Sequence, residues 1–130
     1  MKWFIKCFKQ YADFKGRARR KEYWMFYLLM SVFVCVFMFV PLIIGALLGL
    51  NLDKVAMVTQ LVLFFPCLLV AVPILAVTVR RLHDVGKSGW MWFIQLIPLI
   101  GPIWLFVLIV TDSQPGVNKY GPNPKEMEAF

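Results

Sequence analysis

Charged residues are scarce in this sequence, and they are missing altogether from its longest stretches. Lys, Arg, Asp and Glu make up 16% of the 130 residues and hydrophobic residues 61%, whereas roughly 25% of a soluble domain is charged. No charged residue occurs in residues 23–50, 55–79 or 90–110. Each run is long enough for a transmembrane helix, which needs about 20 apolar residues. A soluble fold is therefore excluded.

Other shortages exclude several kinds of site. The alternating pattern of membrane β-strands is absent. One histidine and three widely spaced cysteines, Cys7, Cys35 and Cys67, provide neither a metal-ligand cluster nor a disulfide framework. No carboxylate or lysine lies inside the runs to relay protons or ions, and such groups are the usual mark of a coupled transporter. We therefore predict an all-α integral membrane protein, residues 1–130 forming one membrane domain, with no metal and no cofactor.

The positive charges that are present orient the chain. Of 14 Lys and Arg residues, eight precede the first run, and Arg80, Arg81 and Lys87 lie between the second and third. Both segments should face the cytoplasm, because positive residues are retained there. The short, neutral connection at residues 51–54 should lie on the opposite side. We predict a multi-pass membrane protein with a cytoplasmic N-terminus.

The third run, residues 90–110, contains an irregularity at its centre. Pro98, Gly101 and Pro102 interrupt it, and proline removes a backbone donor and clashes with the preceding turn. One interpretation is a third transmembrane helix with a kink, which leaves the tail at residues 111–130 outside. The other is a re-entrant hairpin of two half-helices, which returns the tail to the cytoplasm.

The N-terminal segment has the pattern of an amphipathic helix. Aromatic residues and Cys7 follow one face, while lysines and Asp13 follow the other. A basic helix of this kind lies in the membrane interface and favours anionic headgroups. We predict such a helix over residues 2–14. The aromatic stripe would be buried in lipid, so we do not expect nucleic-acid binding.

Two carboxylates at the predicted cytoplasmic boundary need partners. Glu22 and Asp84 lie among many cations, and a carboxylate near lipid should be ion-paired. We expect both to pair with arginines from the two basic segments. The pairs would fasten the first helix to the turn between the second and third. The candidate arginines are Arg17, Arg20, Arg80 and Arg81.

Four motifs in fixed order resemble a known family. They are residues 13–24 (DFKGRARRKEYW), 80–90 (RRLHDVGKSGW), 97–101 (IPLIG) and 116–122 (GVNKYGP). Together they are similar to the bacterial inner-membrane family catalogued as domain of unknown function 805, and the likeness covers nearly the whole chain. The resemblance implies a small inner-membrane protein. It brings no catalytic residue, cofactor or partner.

The polar segment at residues 80–90 permits several interpretations. His83 beside Asp84, with Ser88 nearby, invites a catalytic reading, but neighbours in sequence do not form a triad and no nucleophile elbow is present. The glycines at 86 and 89 lack the spacing of a nucleotide-binding loop. The segment is either a tight turn with interface anchors or a site for a lipid phosphate at the start of a helix.

We predict a protein of structural or interaction type, not an enzyme, whose cytoplasmic residues bind anionic phospholipid or a partner. An oligomeric small channel or transporter lined by Gln60 and Gln95 is the alternative, and a membrane-embedded enzyme is less favoured. Gly45 and Gly49 form a small-xxx-small pair that would support a homo-oligomer. The predicted binding residues are Arg17, Arg20, Glu22, Arg80, Arg81, His83, Asp84, Lys87, Ser88 and Trp90.

Overall fold

The regular structure of the chain is helical throughout the part described by the computed structural model, which covers residue 5 and residues 9–127. Helix α1 spans Arg20–Leu47 and α2 spans Leu52–Asp84. A 3₁₀ helix at Gly89–Leu96 is followed by α3 at Ile100–Val110 and a short α4 at Pro124–Met127. Of the interfacial helix predicted at residues 2–14, residues 2–4 and 6–8 lie outside the described residues.

Helices α1 and α2 form a tight hairpin. A Cβ on Gly45 would lie 2.4 Å from Cγ2 of Val55, so glycine permits the close approach of the two helices. Gly49 has φ 62° in the turn, and the Asn51 side chain caps α2 by accepting from the Asp53 amide. Gly45 and Gly49 therefore do not share one helical face, and self-association through them stays a prediction.

Both long helices display their apolar side chains on the outside. In the most apolar 18-residue stretch of α1, only 11% of the residues are buried. In the corresponding stretch of α2, 28% are buried. At about 1.5 Å per residue, α1 and α2 each exceed the roughly 30 Å of a hydrocarbon core. Length and composition thus suit both helices to crossing a membrane. Helix α2 continues past its apolar run to Asp84, since the charged residues of its last turn are buried with partners.

The third apolar run is divided in the structure. The 3₁₀ helix ends at Leu96, and α3 begins after Leu99, which has φ 66°. A Cβ on Gly101 would lie 1.9 Å from the carbonyl oxygen of Ile94, so only glycine fits where the two halves meet. Helix α3 has 11 residues, about half the number that a bilayer crossing needs.

Both ends of this divided run lie at the same end of α2. At its start, a Cβ on Gly89 would lie 2.7 Å from Cγ1 of Val79. At its finish, the carbonyl oxygens of Ile109 and Thr111 accept hydrogen bonds from Arg81. The run therefore leaves the end of α2 and returns to it.

A proline in α2 explains how the N-terminal segment is held. Pro73 has no N–H to donate to the carbonyl oxygen of Leu69, four residues earlier. The Tyr11 hydroxyl donates to that oxygen at 2.5 Å. Tyr11 thus replaces the helical donor that Pro73 lacks, as a backbone carbonyl in a membrane helix requires.

This explanation predicts coupling between Tyr11 and Pro73. We expect Tyr11→Phe to reduce the free energy of unfolding by about 1 kcal/mol, the contribution of one hydrogen bond. In a Pro73→Ala background the new amide supplies the donor, so the same substitution should cost much less. Chemical unfolding in detergent would measure this double-mutant cycle. Tyr27→Phe, at an exposed position in α1, is the control, and an equal cost of Tyr11→Phe in both backgrounds would contradict the explanation.

Candidate functional site

Asp84, the last residue of α2, is a fully buried carboxylate with three side-chain donors. Its Oδ1 accepts from Nε of Arg17 at 2.9 Å. Its Oδ2 accepts from Arg81 and from the Ser113 hydroxyl. The donors come from three segments: the residues before α1, the last turn of α2 and the tail. Burial of a charge requires this degree of pairing.

Arg17 forms hydrogen bonds to the backbone of the tail. Besides Asp84, its guanidinium donates to the backbone carbonyls of Gln114, Gly116 and Gly121, the last two at 2.8 and 3.2 Å. Gly116 and Gly121 have φ 68° and 129°, which favour glycine. The side chain of Arg17 is 1% exposed. The planar guanidinium carries several N–H donors, so one arginine can hydrogen-bond to several carbonyl oxygens at once.

Arg81 connects the end of α2 to the end of α3. Its Nε donates to the carbonyl oxygen of Ile109 at 3.0 Å, and another nitrogen donates to that of Thr111. A longer contact, 3.4 Å, reaches the carbonyl oxygen of Ala18. The Arg81 side chain is 0% exposed. Each of its three guanidinium nitrogens donates to a group of the same chain.

Glu22 pairs with Arg80 across α1 and α2, with Oε1 and Nη1 3.4 Å apart and both side chains buried. Arg80 also donates to the Gln10 side chain. The expected pairing of both carboxylates with arginines is therefore present. We refer to the set as the arginine cluster; its members are Arg17, Glu22, Arg80, Arg81 and Asp84.

Arg20 does not join this cluster, although the sequence placed it among the candidate partners. It lies 3.4 Å from Asp112 at the surface, where Lys125 also contacts the same carboxylate. The Lys125 hydrogen bond, followed by the Ser113 amide, holds the pKa of Asp112 below its usual value. Any stability that the ion pairs of Asp112 contribute is present at neutral pH. It is lost as the pH falls through the lowered pKa of Asp112. Exposed pairs contribute little.

The other predicted residues lie beside the cluster. His83 Nδ1 is 3.2 Å from the carbonyl oxygen of Gly16, and its ring stacks on Tyr120 with centroids 3.7 Å apart. The Ser88 hydroxyl caps the 3₁₀ helix by accepting from the Trp90 amide at 3.4 Å. Lys87 is exposed, and Trp90 is 77% exposed.

The tail is the part of the site that sequence reasoning missed. The Gln114 amide donates to the backbone oxygen of Asp84 at 2.9 Å, and the Asn118 side chain donates to that of His83 at 2.9 Å. Ser113 and Tyr120 complete these contacts. The signal in the sequence was the family motif at residues 116–122, which identified no partner for these residues.

In the described residues, no hydrogen bond connects the residues named for the catalytic alternative or those named for the pore alternative. Over residues 9–127, no hydrogen bond joins His83 to Ser88, and no group of three His, Cys, Asp or Glu residues is placed to hold a metal ion. Gln60 lies on α2, exposed, whereas Gln95 lies in the 3₁₀ helix. No hydrogen bond within the described chain links these two glutamines.

Comparison with known families and proteins gives matches that cover most of the chain. The profile described as "Protein of unknown function (DUF805)" matches residues 11–122. The chain belongs to the DUF805 family. It is 38% identical over 125 residues to inner membrane protein YhaI of Escherichia coli (strain K12), covering 96% of this chain and 97% of that protein. It is 39% identical over 127 residues to inner membrane protein YhaH of the same strain, covering 96% and 98%. No solved structure matches the chain.

The DUF805 match contains the whole arginine cluster and the tail segment that encloses Arg17. The family description and the names of the two relatives state no activity. The resemblance inferred from the four motifs is therefore confirmed. What the cluster does must be argued from its geometry.

Two aspartates offer a matched test of the cluster. Asp84 and Asp112 each contact two cationic side chains, but Asp84 is buried and Asp112 exposed. We expect Asp84→Asn to lower the free energy of unfolding by about 3 to 5 kcal/mol, since it leaves two buried arginines without their counter-charge. Asp112→Asn should have little effect. Thermal unfolding in detergent would measure both, and similar melting temperatures would show that the cluster does not hold the fold.

Proposed function

We propose that this protein is a non-catalytic inner-membrane protein of structural or interaction type whose basic cytoplasmic face binds anionic phospholipid. The supporting observation is how its cations are distributed. Arg17, Arg80 and Arg81 are buried and neutralised within the chain. The lysines around them are exposed and keep their charge available.

Four of these lysines carry the proposal. Lys15 and Lys21 flank Arg17 in sequence, Lys87 follows Asp84, and Lys119 lies over the ring of Tyr120. Within residues 9–127, none of the four forms an ion pair. Near a charged membrane, each such lysine contributes about 1 kcal/mol of attraction to anionic lipid.

The burial of Arg81 changes which residues would contact a headgroup. Because Arg81 is 0% exposed and its donors are engaged, we assign it to holding the fold. Headgroup contact then falls to Lys87, with Ser88 and Trp90 beside it at the start of the 3₁₀ helix. Trp90 suits the headgroup level, where its ring is half in lipid and half in water.

The membrane orientation forms part of the same proposal. Helices α1 and α2 would cross the bilayer, and residues 89–110 would enter and leave the cytoplasmic side as a re-entrant hairpin. The return of this run to Arg81 and Asp84 supports the hairpin. The four lysines at that end, against Asp53 and Lys54 at the other, support a cytoplasmic N-terminus and tail.

The lipid proposal predicts a difference between two lysines at opposite ends of α2. Phosphatidylglycerol should raise the melting temperature of the purified protein more than phosphatidylcholine does, and Lys87→Gln should reduce that difference. Lys54→Gln, also at an exposed position, should leave it unchanged. Part of the effect should fade with salt, since exposed charges are screened beyond about 8 Å at physiological ionic strength.

A thermal-shift assay in detergent with each lipid would measure these differences. If Lys87→Gln responds to phosphatidylglycerol as the parent does, the lysines act only as topology signals. If neither lipid is preferred by the parent, the proposed function is wrong.

The orientation predicts which engineered cysteines react from each side. In a background without the native cysteines, Lys87→Cys and Val117→Cys should be labelled by an impermeant thiol reagent only from the cytoplasm. Asp53→Cys should be labelled only from the periplasm. Val117 is 78% exposed, so access does not limit the reaction. Labelling of position 117 from the periplasm would overturn the re-entrant hairpin.

A further inference from the structure

A cavity of about 430 Å³ lies beside the arginine cluster. Half of its ten lining residues are Phe, Trp or Tyr: Phe14 from the segment before α1, Trp90, Trp92 and Phe93 from the 3₁₀ helix, and Tyr120 from the tail. His83 supplies a polar wall at the end of α2. The cavity thus joins four segments that lie far apart in sequence.

The hydrogen bond of His83 decides what its other nitrogen offers. The carbonyl oxygen of Gly16 can only accept, so in the neutral ring Nδ1 carries the proton. Nε2 is then an acceptor. A Cβ on Gly89, another lining residue of the cavity, would lie 3.6 Å from Nε2, so this nitrogen lies next to Gly89. In the described part of the chain, no hydrogen bond is formed by Nε2.

The charge around the cavity restricts the ligand further. Lys87 precedes Ser88 at one edge, and Nζ of Lys119 lies 4.9 Å from the centroid of the Tyr120 ring at another. Two exposed cations favour a phosphate and disfavour a cationic headgroup. The acceptor at His83 requires a ligand that donates a hydrogen bond.

We propose that this cavity is a binding site for a hydroxyl-bearing anionic headgroup of the phosphatidylglycerol type. Its phosphodiester lies near Lys87 and Lys119. A glycerol hydroxyl donates to Nε2 of His83, beside the aromatic side chains that line the cavity. The inference rests on the proposed binding of anionic lipid and adds selectivity among anionic lipids.

Phosphatidylmethanol is the matched probe, because it has the same single negative charge as phosphatidylglycerol but no hydroxyl on its headgroup. With identical acyl chains, we expect phosphatidylglycerol to bind about fivefold more tightly, the effect of one hydrogen bond. Competition between the two lipids, read by native mass spectrometry of the full-length protein, would measure the ratio.

Two substitutions separate the acceptor from the rest of the histidine. His83→Asn keeps an amide donor near the position of Nδ1 but places nothing at Nε2, so the preference for phosphatidylglycerol should be lost. His83→Gln places an amide oxygen near the position of Nε2 and should retain a preference. Both variants lose the aromatic stack on Tyr120, so each controls for the other.

The outcomes distinguish this inference from the proposed function. Equal binding of the two anionic lipids by the parent, or an unchanged preference in His83→Asn, would overturn the assignment of the hydroxyl to His83. A preference for both anionic lipids over phosphatidylcholine would still hold in that case. Loss of that broader preference would instead refute the proposed function. A stronger response to phosphatidylethanolamine would show that the cavity takes an ammonium group and would overturn the inference.

Discussion

The buried carboxylate of Asp84 is the constraint on which the rest of the structure depends. A charge removed from water at the end of a long apolar helix must be neutralised and hydrogen-bonded nearby. Arg17, Arg81 and Ser113 meet that need, and each belongs to a different segment. Arg17 also donates hydrogen bonds to carbonyl oxygens of the tail, and Arg81 donates to carbonyl oxygens at the end of α3. The tail, the end of α3 and the residues before α1 therefore meet at one end of α2. The divided run therefore begins and ends near the end of α2 that carries Asp84.

Where the helical backbone of this protein is irregular, particular residues compensate for the irregularity. Pro73 removes a helical donor, and the Tyr11 hydroxyl supplies another. Gly101 lets α3 begin against the backbone of Ile94, where any side chain would collide. Lipid provides no hydrogen bonds, so each such departure is tolerated only where the protein itself satisfies or covers the exposed groups. These features give structural roles to Pro73 in α2 and to Gly101 in the third run.

Arginine and lysine have different positions here, and their chemistry explains why. The buried cations of the cluster are arginines, whose planar forks bind several oxygens at once. The exposed cations at the same end are mostly lysines, whose compact charge remains hydrated. The first group holds the fold, and the second provides the attraction on which the proposed lipid binding rests. His83 lies between them; its Nδ1 is hydrogen-bonded to Gly16, and the residue lines the aromatic cavity.

Composition and charge by themselves determined the helical membrane class, the two long helices and the pairing of Glu22 and Asp84 with arginines. These follow from local rules: apolar length, and the cost of an unpaired carboxylate. Only the tertiary structure decided which arginine pairs with which carboxylate, and it moved Arg20 to the surface beside Asp112. It also decided the path of the third run and the role of the tail. Those depend on backbone carbonyls, which every residue carries and no sequence pattern reveals.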